Sequence, residues 1–341
     1  MLIRSKAPLR IGLAGGGTDV SPYSDIYGGA ILNATIDLYA SASLEPLDNG
    51  KIEFVNDGSG RTLIVDAAKE LTLVPEFELF IGVYNRLVRQ FDLGALSFRL
   101  TSVIEAPQGS GLGTSSTIVV SLIGAFVEWL NLPLGKYDIA HLAYEIERVE
   151  LNMSGGKQDQ YAATFGGINY IEFFDNDKVI VNPLQLKPEI VNELEFNLLL
   201  YFTDKQRLSA TIIDEQVQNV KDKNSRSIDA MHNLKAQAQH MKDALLRGEL
   251  HKIGEVLNFG WKNKKEMAKS ISNPLIDTIY ETAIHHGATG GKISGAGGGG
   301  FMFFYCPRVT KMKVARSIEA LGGRMQSFKF TQQGLVTWKA E

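Results

Sequence analysis

Residues 107–116, Pro-Gln-Gly-Ser-Gly-Leu-Gly-Thr-Ser-Ser, alternate glycines with other residues and then place three hydroxyls just before an apolar run. Glycines let backbone N–H groups curl around an anion, and the unsatisfied N–H groups and positive end of a following helix favour phosphate. Gly109, Ser110, Gly111, Leu112, Gly113, Thr114, Ser115 and Ser116 therefore read as a phosphate cradle. The plainer reading is a glycine turn with one hydroxyl as an N-cap, but capping needs only one such residue. The lysine of Gly-x-x-x-x-Gly-Lys-Ser/Thr is missing, so another residue must supply positive charge. A formal Gly-x-Gly-x-x-Gly at Gly295–Gly300 lies between two strand-like segments and opens no helix, which excludes a dinucleotide fingerprint.

The elements that must carry this loop are legible in outline. Ile118, Val119, Leu122, Ile123, Phe126, Val127 and Leu130 fall at three- and four-residue spacing, predicting a helix over 116–130 with one buried stripe. A second helix is expected over 136–151, with Glu145, Glu147 and Glu150 at its margins. Strands are expected at 30–42, 51–55, 96–100 and 167–174, with a helix over 77–91. A polar stretch at 175–195 suggests a boundary near 185, giving domains 1–185 and 186–341. Beyond it, amphipathic helices at about 207–222, 225–247, 249–270 and 275–286 precede strands at 291–294 and 301–305, a helix at 308–321 and a strand at 324–330. The fold class is α+β, and the charged helices of 207–270 read as solvated faces without chemistry.

The chain has 341 residues, 44% hydrophobic and 21% charged, with 35 basic against 38 acidic side chains and a formal charge of −3. This is a globular composition that shows no build for bulk binding of nucleic acid or a membrane surface. One cysteine, Cys306, excludes an intramolecular disulfide and a thiolate metal cage, and the six histidines lack metal-ligand spacing. The charged N-terminus lacks an export signal's apolar stretch, and Ile118–Leu130 is too short and too polar to span a bilayer, so a cytoplasmic protein is expected.

Three blocks carry a resemblance: Ala7-Pro-Leu-Arg-Ile-Gly-Leu-Ala-Gly-Gly-Gly-Thr-Asp19, the loop at 107–116, and Lys292-Ile-Ser-Gly-Ala-Gly-Gly-Gly-Gly300. Their order and content resemble the GHMP kinase superfamily of small-molecule kinases. The resemblance implies a two-domain α+β fold, with a left-handed β-α-β unit in the N-terminal half, a ferredoxin-like C-terminal half, and ATP and acceptor in the cleft. Gly-Gly-Gly-Thr-Asp and Gly156-Lys-Gln-Asp-Gln-Tyr161, with Asp204-Lys-Gln-Arg-Leu-Ser209, are similar to the sugar 1-kinase branch acting on D-glycero-D-manno-heptose 7-phosphate. L-Fucose kinase domains are neighbours but carry tryptophan where this chain has Gly17.

By that resemblance, Asp159 accepts the proton of the attacking hydroxyl and Arg10 helps to stabilise the attacking oxygen or the transferring phosphoryl group. Ser115 and Glu147 are the implied Mg²⁺ ligands, and Gly17, Thr18 and Asp19 meet the sugar hydroxyls. Lys157, Lys205 and Arg207 are the candidates for a phosphate already on the acceptor, and Gly295, Gly297 and Gly298 form a hairpin that closes the site. Without the resemblance each has a plainer role: Asp159 and Asp19 as turn residues, Glu147 as a solvated helix charge, Arg10 as a strand-end ion pair. The implied cofactors are ATP and Mg²⁺, the partner is a small sugar phosphate, and the chain is a monomer or homodimer. The implied product is a 1,7-bisphosphate that leads to nucleotide-activated heptose for surface glycans. A 1-kinase for another sugar such as L-fucose, or an inactive sugar-binding sensor, are the competing readings.

Overall fold

The computed structural model describes residues 1–107, 109–205 and 209–341. The chain opens with strand β1 (Leu2–Ala14), a short helix α1 (Tyr23–Tyr27) and strand β2 (Gly29–Pro46), followed by the hairpin of β3 (Lys51–Asn56) and β4 (Arg61–Asp66). Helix α2 (Glu78–Gln90) leads to β5 (Phe98–Ile104), which pairs parallel to β3 and antiparallel to β2. Helices α3 (Thr114–Leu130), α4 (Lys136–Tyr144) and α5 (Gln158–Phe165) come next, then β6 (Ile168–Phe173) and β7 (Val179–Pro183).

Helix α6 (Pro188–Asn197) and strand β8 (Leu198–Phe202) begin the second half, which continues through α7 (Ser209–Lys221), α8 (Ser225–Leu246), α9 (Ile253–Met267) and α10 (Pro274–His285). It closes with β9 (Gly290–Ile293), β10 (Phe301–Tyr305), α11 (Lys311–Glu319), β11 (Arg324–Gln326) and β12 (Val336–Ala340). Strands β11, β8, β10 and β9 form an antiparallel sheet in that order. The larger sheet runs β12-β1-β2-β5-β3-β4, with β6 paired to β2 and β7 to β6.

Strand β1 shows how the two halves come to share a site. From Leu2 to Ser5 its residues alternate between half-buried and buried, as in a strand with one covered face. From Ala7 to Ala14 every residue is buried, because α3 and α5 pack against the strand in the first half and α8 packs against it from the second. The first glycine-containing block therefore begins where the sheet passes into the contact between the halves. Helix α3 is buried almost all round from Ser116 to Phe126, a wider contact than the single stripe its spacing predicts. It touches β1, β2, α2, α4, α5 and β12, so more than one face is covered. Its Phe126 meets the buried Phe98 edge-on, with ring centroids 5.2 Å apart.

Two expectations need correction. The helix expected over 136–151 is α-helical only to Tyr144 and then widens into a π-helical turn, Glu145–Glu150. Such turns change which side chains face inward. Here Glu147 is fully buried, while Glu145 and Glu150 pair outside with Arg86. Residue 185 is also not a clean divide, since β12 crosses back to pair antiparallel with β1, Leu2 opposite Ala340. A half-exposed edge strand of this kind leaves little trace in a hydrophobic pattern, and β4 escaped notice for the same reason. Among the described residues no helix is long and apolar enough to cross a membrane.

Truncating Phe126 to alanine removes a buried ring from the helix that carries the phosphate loop. The expected loss is about 3–5 kcal/mol of unfolding free energy by urea titration, and a loss under about 1 kcal/mol would show that α3 is not anchored there.

Candidate active site

A cavity of about 720 Å³ opens between the first glycine block, the 109–116 loop, residues 152–159, and α7, α9 and β9 of the second half. Its size is that of a small-molecule site. Gly109, Gly111, Gly113, Thr114, Ser115 and Ser116 line it, as do Arg10, Gly17, Asp19, Asp159 and Gly295. Several expected residues are not among the lining. Leu112 is a fully buried core residue, and Ser110 is buried with its carbonyl accepting the Phe301 N–H at 2.8 Å. Thr18 is buried and directs its hydroxyl to the Gly15 and Ala30 carbonyls, both at 2.9 Å, so it shapes the turn instead of facing the cavity.

The remaining cases are the hairpin and the cations. Gly297 packs on Ile271, and Gly298 donates its N–H to the Ile271 carbonyl at 2.9 Å, tethering the hairpin while Gly295 meets the backbone of Gly111. Lys157 is a correction, because its ammonium is committed to Asp177 at 2.7 Å and Asp25 at 3.1 Å. Lys205 is exposed, lies outside the cavity, and contributes its carbonyl to the Gly300 N–H at 2.7 Å. Arg207 lies outside the described residues.

Arg10 and Asp159 form the centre of the site. Arg10 is 4% exposed. Its Nε and Nη2 both reach Asp159 Oδ1, at 2.6 and 2.5 Å, while Nη1 donates to the Gly111 carbonyl at 2.7 Å. One guanidinium thus ties the carboxylate to the phosphate loop through its planar fork, which a lysine could not reproduce. Asp159 Oδ2 is left out of that pair and faces Gly113. Gly113 has a left-handed backbone, φ 80°, and a side chain there would start 3.2 Å from that oxygen. Glycine at this position satisfies both the turn and the close approach.

Asp19 is buried and accepts the Gln158 N–H on Oδ2 at 3.1 Å and the Gly17 N–H on Oδ1 at 3.3 Å. Gly156 permits this placement, since any side chain on it would fall on the Asp19 carboxylate. Burial, and then the neighbouring Asp159, push the Asp19 carboxyl above its ordinary range against the opposing Gln158 N–H and Arg10. Two buried amide atoms of cavity-lining residues, Gln158 Oε1 and Gln216 Nε2, have no hydrogen-bond partner among the described residues. Buried polar atoms are rarely left so, and an acceptor rich in hydroxyls would satisfy both.

Glu147 is 0% exposed. Gln160 Nε2 donates to its Oε2 at 2.6 Å and to Ser116 Oγ at 3.1 Å, linking the carboxylate to the loop. Among the described residues its Oε1 accepts no hydrogen bond, and Arg148 Nη1 lies 3.6 Å away. A buried carboxylate oxygen without a hydrogen bond, joined to a hydroxyl-rich phosphate loop, fits a hard divalent cation that takes its other ligands from phosphates and water. The hydroxyl connected to Glu147 is that of Ser116, one residue beyond the expected Ser115. Among the described residues no cluster of three histidine, cysteine or carboxylate side chains could hold a metal ion.

Sequence reasoning missed Arg148, Gln158, Gln216, Lys264 and Lys292. Arg148 lines the cavity and reaches Ser116 Oγ and the Gly156 carbonyl, each at 3.3 Å. Lys264 and Lys292 also line it, although α9 had read as a solvated face. Burial draws the Lys264 ammonium down to about 8, and burial together with the neighbouring Lys264 and Arg10 draws Lys292 well below its ordinary value. Lys292 opens the third glycine block and Gln158 lies in the run Gly156–Tyr161, which were the available signals.

The family models described as GHMP kinases N terminal domain and GHMP kinases C terminal match residues 78–167 and 241–323. The D-glycero-alpha-D-manno-heptose 7-phosphate kinase of Campylobacter jejuni is 44% identical over 99% of each chain. A crystal structure of a D-glycero-D-manno-heptose 1-phosphate kinase from Bacteroides thetaiotaomicron superposes with a TM-score of 0.85 at 46% identity, covering 99% of each chain. The bifunctional fucokinase/GDP-fucose pyrophosphorylase of Arabidopsis thaliana is 26% identical over 91% of this chain, which spans 30% of that protein. With both halves matched in order around a phosphate loop, and a relative this similar end to end, the chain belongs to the GHMP kinases and is a phosphotransferase of that family.

Proposed function

We propose that this kinase transfers the γ-phosphoryl group of ATP, with Mg²⁺, to the anomeric hydroxyl of D-glycero-D-manno-heptose 7-phosphate. The products are the 1,7-bisphosphate and ADP, the former a precursor of nucleotide-activated heptose. The observation that carries this reading is the Arg10 guanidinium shared between Asp159 and the Gly111 carbonyl, which sets a free carboxylate oxygen against the phosphate loop. Relatives named for heptose phosphates, similar along the whole chain, support the choice of acceptor. The fucose alternative is disfavoured at Gly17, whose φ of 106° and approach to Met267 suit glycine in place of the tryptophan of that branch.

In this reading the N–H groups and hydroxyls of 109–116 hold the nucleotide's phosphates, and Asp19, Gln158 and Gln216 bind the sugar's hydroxyls. Asp159 Oδ2 takes the proton from O1 as O1 bonds to the γ-phosphorus and the bond from that phosphorus to the β,γ-bridging oxygen breaks, releasing ADP. Arg10 holds the acid–base carboxylate in line and offers positive charge to the reacting oxygens. Glu147 and the hydroxyl of Ser115 or Ser116 would hold Mg²⁺, whose contribution when bound is to neutralise charge on the β- and γ-phosphate oxygens.

ADP release with Mg-ATP against heptose 7-phosphate, sedoheptulose 7-phosphate, mannose 6-phosphate, mannose and L-fucose tests the reading. Turnover is expected to be selective for the first compound, with the new phosphate on carbon 1, and preference for an unphosphorylated sugar would discard it. Replacing Glu147 by glutamine keeps shape and the Gln160 contact but removes the charge. The Mg²⁺ concentration giving half-maximal rate should rise about tenfold or more, the size expected for losing one charged contact, and an unchanged Mg²⁺ dependence would release Glu147 from that role.

A further inference from the structure

Lys264, on α9, and Lys292, on β9, take no part in the steps above, yet they are 1% and 2% exposed and line the cavity. Both ammoniums converge on Gly16: a side chain there would begin 3.7 Å from Lys292 Nζ and 3.8 Å from Lys264 Nζ. Lys292 donates to the Gly12 carbonyl at 2.8 Å and lies 5.6 Å from the centre of the Phe303 ring. Lys264 has the Gly16 carbonyl at a long 3.4 Å. Among the described residues neither forms an ion pair with a carboxylate, and Asp19 is the acidic group whose field reaches Lys264.

Burying an ammonium without a counter-charge is costly, and burying two side by side adds their repulsion. Such an arrangement persists when the missing negative charge arrives with a ligand. Among the described residues the cavity carries four cationic side chains, Arg10, Arg148, Lys264 and Lys292, against two carboxylates, Asp19 and Asp159. Arg10 is committed to Asp159 and Gly111, and Arg148 reaches Ser116 and Glu147, so the lysines are the pair left over.

We propose that Lys264 and Lys292 form the subsite for the phosphate that the acceptor already carries, a dianionic phosphomonoester, and so set the preference for a phosphorylated over an unphosphorylated sugar. The proposal rests on the acceptor reading above. It differs from the sequence expectation, since Lys157 is neutralised by two aspartates and Lys205 lies outside the cavity. The placement favours the acceptor over the nucleotide, because both ammoniums attach to carbonyls of the first glycine block and not to the 109–116 loop. Asp19, Asp159 and Lys264 line the same cavity, so a sugar held at Asp19 can present its reacting oxygen to Asp159 and its phosphate to the lysines. Lysine is a point-charge phosphate ligand that needs no bidentate geometry.

The test compares wild type with Lys264→Met and Lys292→Met on heptose 7-phosphate and on unphosphorylated heptose. Each variant should raise KM for heptose 7-phosphate about 10- to 100-fold, the size expected for losing a charge-assisted contact. The ratio of kcat/KM between the two sugars should fall by a similar factor, while KM for ATP stays within about twofold. An unchanged ratio, or a rise in KM for ATP in its place, overturns the proposal. Should the variants not fold, inorganic phosphate titrated into the wild type decides: it is expected to compete with heptose 7-phosphate, and competition with ATP alone, or none, overturns the subsite. The two failures are separable, because a wild type that prefers unphosphorylated sugars sinks the acceptor reading as well. Wild-type turnover of heptose 7-phosphate with an unchanged ratio in the variants sinks the subsite alone.

Discussion

The contact between the buried Arg10 and the half-buried Asp159 is the constraint on which the rest of the site depends. It joins three stretches distant in sequence: β1, the loop before α3, and the first turn of α5. A largely desolvated ion pair gains little over an apolar replacement as a source of stability. Its value here is positional, because it sets one carboxylate oxygen while leaving the other free beside the phosphate loop. Neighbouring features serve that placement. Gly113 makes room for the carboxylate, Gly156 makes room for Asp19, and the Leu112 carbonyl accepts the Arg10 N–H at 3.1 Å, holding loop to strand.

Around that pair the cavity is built with charges and polar atoms that it does not itself satisfy. Among the described residues, Gln158 Oε1 and Gln216 Nε2 of the lining and Oε1 of the buried Glu147, joined to the phosphate loop through Gln160, lack hydrogen-bond partners, and Lys264 and Lys292 form no ion pair with a carboxylate. Native interiors seldom leave such groups unmet, and each type matches a different part of a reacting complex. The lone carboxylate oxygen suits a divalent cation, the amides suit sugar hydroxyls, and the lysines suit a phosphate. The second half of the chain supplies Gln216, Lys264 and Lys292, so the acceptor side of the cavity exists only when the halves are packed together.

Much of this was legible in the chain itself. The three glycine-containing blocks, the phosphate loop and Asp159, Arg10 and Asp19 could be picked out because glycine spacing and family resemblance both point to them. The long helices α2, α3, α8 and α10 follow from periodic apolar residues. What escaped reading depends on distant packing. Lys264 looks like any charge on an amphipathic helix until α9 is laid against the first glycine block, and Lys157 looks free until Asp25 and Asp177 close on it. The π-helical turn that buries Glu147 has no sequence signature, and β12 is too exposed to announce its return to the first sheet.

The claim that Arg10 and Asp159 act as one unit is tested most directly by a double-mutant cycle on kcat with Arg10→Lys, Asp159→Asn and the pair together. If the guanidinium acts by holding the carboxylate against the loop, each single change should cost about 10²–10⁴-fold in kcat, and the double variant should be little worse than the poorer single one, the mark of residues acting together. Losses that multiply would show that the two residues act independently and would contradict the account.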